Sequence, residues 1–267
     1  MIISAVGFSL MQLCVKFLIH LPTTELVLFR SILSLVASFI HLKSVKVPPF
    51  GNNKKILILR GVFGTIALSL FFFTLQKLPI STATTIQYLS PIFTAMFAIW
   101  ILKEPMKKSQ WFFFALAFVG IGVIKGFNSE LSYIYLAAGI TSSIFAALAY
   151  NMIRKLKDSD HPVVIVMYFP LVAIPVMGIL TYFNYVPPRP GDWIVLLLMG
   201  LFTQIAQVYM TRAWQADKAN KIASLKYIGI FFALGFDIFI FGFIPNVYTL
   251  LGIGLVLFGV VLNIIKK

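Results

Sequence analysis

Two ionisable side chains interrupt an apolar stretch near the C-terminus: Lys226 and Asp237, in NKIASLKYIGIFFALGFDIFIFGFIP from Asn220 to Pro245. Their spacing is close to three helical turns, so a helix presents both on one face, roughly 16 Å apart. So placed they cannot pair. Lys226 can instead bind a carboxylate or phosphate while Asp237 receives an amine or a coupling proton. The competing reading has the Lys226 ammonium snorkelling to the interface and Asp237 solvated. An earlier stretch has the same form: Ser81 to Pro105, STATTIQYLSPIFTAMFAIWILKEP, with Gln87-Tyr88 where the later one has Lys226-Tyr227, and with Pro91 at its middle. A proline and polar side chains inside a lipid-embedded helix are costly unless they face protein or a water-filled cavity. Two such helices in matching halves point to a transporter's central site.

Other polar groups within apolar runs complete the candidate substrate-binding set. Gln204, Gln207 and Thr211 form a stripe at i, i+3 and i+7; Tyr150 and Asn151 close another run; Gln12 stands in the first. Such groups equally serve as glue between helices, as Thr65 and Ser69 are expected to do. Arg30 lies within the second run; in a helix Glu25 is about 140° away from it, so the two do not pair. Arg30 then either binds substrate or braces a neighbouring helix, and Lys16 snorkels. The substrate-binding set is thus Lys226, Tyr227, Gln87, Tyr88, Gln204, Gln207, Tyr150, Asn151, Gln12 and Arg30, with Asp237 for coupling.

An intramembrane enzyme would need a nucleophile and base or a set of metal ligands. The lone Cys14 and the dispersed His20, His41 and His161 supply neither, so no catalytic residue, metal or cofactor is expected. No phosphate-binding loop for ATP is present. A channel would lack alternating access, and no filter sequence appears.

The chain of 267 residues is 60% hydrophobic and 11% charged, too apolar for a soluble domain. Ten runs are long enough to span a bilayer, which takes about 20 apolar residues: 1–20, 24–42, 56–76, 81–102, 109–127, 132–154, 161–183, 192–213, 219–242 and 247–265. Short connectors make consecutive helices antiparallel neighbours. The net charge of +14 lies in clusters between runs, which argues against a nucleic-acid partner. Sixteen of the 22 Lys and Arg residues, Arg60 among them, fall in the connectors after spans 2, 4, 6 and 8 and at the C-terminus, against Lys77, Lys125 and Arg189 opposite. Both termini are therefore expected in the cytoplasm, with a bacterial inner membrane as the setting. No cleavable signal is evident.

A shift of 139 residues matches Gln12 to Asn151, Gly61 to Gly200, Gln76 to Gln215, Tyr88 to Tyr227 and Gly120 to Gly259. The expected fold is all-α integral membrane: ten transmembrane helices as two inverted five-helix repeats, 1–127 and 132–267, since a unit of five crosses the membrane an odd number of times. Glycines 120, 122, 252, 254 and 259 let helices approach closely.

Glu25 to Arg30 (ELVLFR), Arg60-Gly61, Leu89-Ser90-Pro91-Ile92-Phe93 and Leu102-Lys103-Glu104-Pro105 resemble the drug/metabolite transporter superfamily, EamA type. The run from Arg60 to Lys125 resembles its acyl-malonyl-condensing-enzyme-like and solute-carrier-35G-like branch. The second half departs from the motif, with Ile230 and Gly242-Phe243 at the matching places. The resemblance implies a cavity lined by helices 1, 3, 4, 6, 8 and 9, scaffold or homodimer contacts on helices 5 and 10, and export of a small metabolite. The expectation is a secondary active transporter moving a carboxylate-bearing metabolite, an amino acid or organic acid, by alternating access with possible proton coupling. The alternatives are uptake or exchange of a nucleoside-like metabolite such as S-adenosylmethionine, and drug efflux.

Overall fold

A computed structural model describes residues 1–105, 108–126, 132–216 and 228–265. Lys226 and Tyr227 lie outside the described residues. Every regular element described is helical: α1 Ile2–Phe17, α2 Thr23–Ser44, α3 Lys54–Lys77, α4 Ile80–Gln87, α5 Ser90–Ile101, α6 Lys108–Gly126, α7 Tyr133–Lys155, α8 Pro162–Phe183, α9 Asp192–Ala216, α10 Ile228–Phe239 and α11 Val247–Ile265. Six spans are long and apolar enough to cross a membrane: α2, α3, α4 with α5, α7, α8 and α9; the others are shorter apolar helices. Large apolar side chains stand exposed around the outside, among them Ile40, Trp100, Phe112, Ile179, Ile194 and Phe239. An apolar belt of this extent meets lipid. The chain is a multi-pass integral membrane protein.

The expected fourth span is broken in two. Pro91, at the start of α5, has no N–H to offer the Gln87 carbonyl, and its ring opposes a continuous helix there. The chain turns at Tyr88-Leu89, the Leu89 amide reaching back only to the Ile86 carbonyl at 3.1 Å. Gln87 and Tyr88 are thereby set at a helix break.

Short connectors fix direction but not neighbourhood, and consecutive helices are not the main packing partners. The heaviest packing joins α3 to α7, α1 to α9, α2 to α8 and α6 to α11. Glycines allow close approach within the α6–α11 pair and also between α3 and α8 and between α2 and α9. A Cβ on Gly61 would meet Val172 at 2.6 Å, while one on Gly200 would meet Leu33. A Cβ on Gly120 would meet the Gly252 carbonyl at 2.8 Å and Val256 at 2.9 Å; one on Gly259 would meet the Phe113 carbonyl at 2.7 Å and the Ala117 amide at 3.0 Å. Leu33, Phe113 and Ala117 match Val172, Gly252 and Val256 under the 139-residue shift, so the contacts are reciprocal. The expected approach fails at Gly122 and Gly254, which face nothing within 4 Å.

The two ends are tied by loops. At one, the Asn52 amide donates to Asp160 Oδ1 at 2.6 Å, Tyr168 Oη donates to the Phe50 carbonyl, and Gln215 Nε2 donates to the Asp160 carbonyl at 3.1 Å. At the other, the Val186 amide donates to Glu25 Oε2 at 3.2 Å, His20 bonds Asp192 at 2.7 Å, and Gln76 Nε2 donates to the Leu21 carbonyl at 2.8 Å.

Candidate functional site

The helix break at Tyr88 opens onto a cavity of about 110 Å³ between the two halves. Its wall takes Ser9 and Gln12 from α1, Arg60 and Gly64 from α3, Thr84 and Gln87 from α4, and Tyr88. Tyr150 of α7, Phe169 of α8, Gln207 of α9 and Gly229 of α10 complete it. The family resemblance anticipated these helices apart from α8.

Five of the expected substrate residues converge here: Gln12, Gln87, Tyr88, Tyr150 and Gln207. Gln12 Oε1 accepts from Thr84 Oγ1 at 3.1 Å, and Gln87 Oε1 accepts from Ser142 Oγ at 2.9 Å. The Tyr150 ring stacks on Trp214 at 5.3 Å. Gly229 lacks the Cβ that would stand 2.7 Å from Tyr88 Oη, so the absence of a side chain seats the phenol.

Arg60 was the residue overlooked. It was counted with the connectors, yet it lies within α3 and is only 2% exposed. Its Nη2 donates a long 3.4 Å bond to Gln207 Oε1, and its guanidinium lies over Gly64, where any Cβ would collide with Nη1. Its signal in the sequence was Arg60-Gly61 followed one turn on by Gly64: an arginine with open space for its side chain. Among the described residues lining the cavity, Arg60 is the only charged side chain.

Of the other expected residues that are described, Gln204, Asn151, Arg30 and Asp237 do not line the cavity. Gln204 does not line the cavity; it bridges α9 to α2, accepting from Ser34 at 2.6 Å and donating to Ser38 at 2.9 Å. Asn151 is fully buried and ties α7 to α5 by donating to the Thr94 carbonyl at 3.0 Å. Arg30 is fully buried behind the cavity wall, its guanidinium 4.8 Å from the Phe169 ring centroid. Among the described residues, Arg30 forms no ion pair with Glu25.

Asp237 is neither solvated nor on the cavity wall. It is 1% exposed, and its Oδ1 and Oδ2 accept from the Ile80 and Ser81 amides at 2.9 and 2.8 Å. It holds the free N–H groups at the start of α4, where a helix terminus favours negative charge. Lys16 does not snorkel: its ammonium donates to the Leu75 and Leu78 carbonyls at 3.2 and 2.8 Å, closing the end of α3. Opposite charges thus grip the two sides of the α3–α4 turn.

Residues 1–125 and 133–265 match the model of the EamA-like transporter family. The chain belongs to that family. It is 29% identical over 258 residues to the pseudopaline exporter CntI of Pseudomonas aeruginosa strain UCBPP-PA14, across 94% of this chain and 89% of that protein. It is 30% identical over 274 residues to human solute carrier family 35 member G1, across 94% of this chain and 74% of that one. A solved crystal structure, 14% identical, superposes with a TM-score of 0.69 over 97% of this chain and 94% of its own, which concerns the fold alone. The protein is a transporter of the EamA type within the drug/metabolite transporter superfamily.

Proposed function

We propose that the protein is a secondary active transporter that exports a small carboxylate-bearing metabolite by alternating access, with the substrate carboxylate held by Arg60. The observation that carries this reading is the Arg60 guanidinium on the cavity wall, with two of its nitrogens lacking a hydrogen-bond partner among the described residues. Arginine stays protonated and presents a planar fork that matches a carboxylate. Gln12, Gln87, Gln207 and Tyr150 supply neutral hydrogen-bonding groups for the rest of the molecule. The cavity is small beside the roughly 300–1,000 Å³ of drug-sized sites, which favours an amino acid or organic acid over S-adenosylmethionine or drugs. The relative from Pseudomonas aeruginosa is named an exporter, in keeping with the proposed direction. The equivalent contacts made by Gly61 and Gly200, and by Gly120 and Gly259, support two inverted repeats of five helices, 1–127 and 132–267, moving about the cavity. The distribution of Lys and Arg supports cytoplasmic termini in a bacterial inner membrane.

The test is a thermal-shift screen of purified protein against amino acids, organic acids, nucleosides and cationic dyes. A ligand that binds the folded state raises the apparent melting point with concentration. Carboxylates should stabilise the wild type, and Arg60→Gln should lose that response while still folding. Stabilisation by carboxylates that survives Arg60→Gln, or by dyes alone, would overturn this reading. Lys226→Gln, run in parallel, separates a contribution from that lysine.

A further inference from the structure

The cavity arginine has a neighbour that the transport reading leaves unused. Among the described residues Arg30 is the largest fully buried side chain, at 0% exposure, and none of its three guanidinium nitrogens has a hydrogen-bond partner there. Glu25, one turn and a residue earlier on α2, accepts from the Val186 amide instead. What Arg30 does have is aromatic: it lies 4.8 Å from the Phe169 ring centroid and 5.9 Å from that of Phe72. Arg60 lies 5.9 Å from the same Phe169 ring. The two guanidinium carbons are therefore separated by no more than the sum of their distances to that one centroid.

Two positive charges around one ring, with no carboxylate paired to either among the described residues, is a costly arrangement in a membrane interior. Contact with aromatic faces offsets only part of that cost. A structural brace would be served as well by a neutral side chain of the same length. Two guanidinium forks flanking one ring, neither with a carboxylate partner among the described residues, have the chemistry of a receptor for two anionic groups.

We propose that Arg30 is a second anion subsite of this cavity, and that the substrate is a short dicarboxylate with one carboxylate on Arg60 and the other on Arg30. The inference rests on the reading of Arg60 as the substrate anchor. Phe169 lines the cavity and is also the ring on which Arg30 lies, so it is the side chain that must move for the second carboxylate to enter. Its position suits that motion. The next residue, Pro170, sits inside α8 and withholds the amide that would bond the Val166 carbonyl, so α8 is locally softened beside the ring.

The experiment measures binding to the full chain in lipid nanodiscs, with succinate and glutarate set against butyrate and valerate of matched length. In the wild type the dicarboxylates should bind about tenfold tighter or more, the effect of one further charge-assisted bidentate contact. In Arg30→Gln that advantage should vanish while monocarboxylate binding remains. Where Arg30→Gln does not fold, Phe169→Trp leaves the arginine in place and thickens the ring over it, and should remove the same advantage. Equal affinity for mono- and dicarboxylates in the wild type overturns the second subsite and leaves the Arg60 reading standing. So does a dicarboxylate advantage that survives the variant. No response to either class overturns both.

Discussion

At the scale of single residues, the site depends on Gly64 and Gly229, which seat Arg60 and Tyr88, as much as on its polar groups. Gly64 leaves the space that the Arg60 guanidinium occupies, and a Cβ there would also stand 2.9 Å from the Phe169 ring. Gly64→Ala should therefore displace the arginine from the cavity wall and strain the ring, costing about 1–3 kcal/mol of stability as overpacking does and weakening carboxylate binding. Gly122→Ala, inside α6 where nothing lies within 4 Å, is the matched control and should leave carboxylate binding unchanged without lowering stability. Melting points and binding isotherms of the two variants check this; unaltered binding in Gly64→Ala would show that the arginine's seat is not set by that glycine. The residue scale is also where the sequence was least legible. Polarity within an apolar run marked Gln12, Gln87, Tyr88, Tyr150 and Gln207, all of which reach the cavity. The same criterion marked Gln204 and Asn151, whose bonds run to neighbouring helices. Side-chain type does not encode which face of a helix meets which neighbour. Arg60 was obscured for the opposite reason: lying close to Lys54 and Lys55, it read as part of a cytoplasmic cluster.

At the scale of elements, the spans themselves were legible because length and apolarity alone define them. α2, α7 and α8 lie within two residues of their expected bounds at both ends. The break at Tyr88 was foreshadowed by Pro91 but not located by it, since a proline can also bend a helix without dividing it. What steadies the resulting short helix is charge. Asp237 accepts both the Ile80 and Ser81 amides at the start of α4, and Lys16 donates to two carbonyls at the end of α3. A hydrogen bond to a charged group contributes roughly 1.5–3 kcal/mol, so Asp237→Ala should lower the melting point clearly, and Asp237→Asn, which keeps one acceptor, by less. A carboxylate engaged in this way acts as an anchor. Asp237→Asn should then slow transport without altering whatever dependence it has on a proton gradient, measured as uptake into proteoliposomes with and without an imposed pH difference. Loss of that dependence would restore Asp237 to the coupling role that its place among apolar residues first suggested.

At the scale of the whole molecule, the two halves exchange equivalent contacts, and the exchange reaches the ends. Gln76 donates to the Leu21 carbonyl and Gln215 to the Asp160 carbonyl; both donors and both acceptors are related by the same 139-residue shift. The loop before α3 is tied to the α7–α8 corner through Asn52 and Asp160, and the loop before α9 to the start of α2 through Val186 and Glu25. Such ties bridge the two halves at both ends, whereas alternating access requires the halves to part at each end in turn. A membrane transporter so built should be stopped by fastening either end. Cysteine pairs at Asn52 with Ser159, where the Asn52 side chain reaches the Ser159 carbonyl, and at His20 with Asp192, where the two side chains meet, place new thiols at existing contacts, and the native Cys14 is buried. Joined by a short reducible cross-linker, each pair should abolish exchange of labelled substrate across proteoliposome membranes, with recovery on reduction. Transport that continues with the Asn52–Ser159 end fastened would mean that the loop before α3 takes no part in opening, and continued transport with the other pair fastened would mean the same for the loop before α9. If both fail to block, the path does not run between the two halves, and the cavity they enclose is not the transport site.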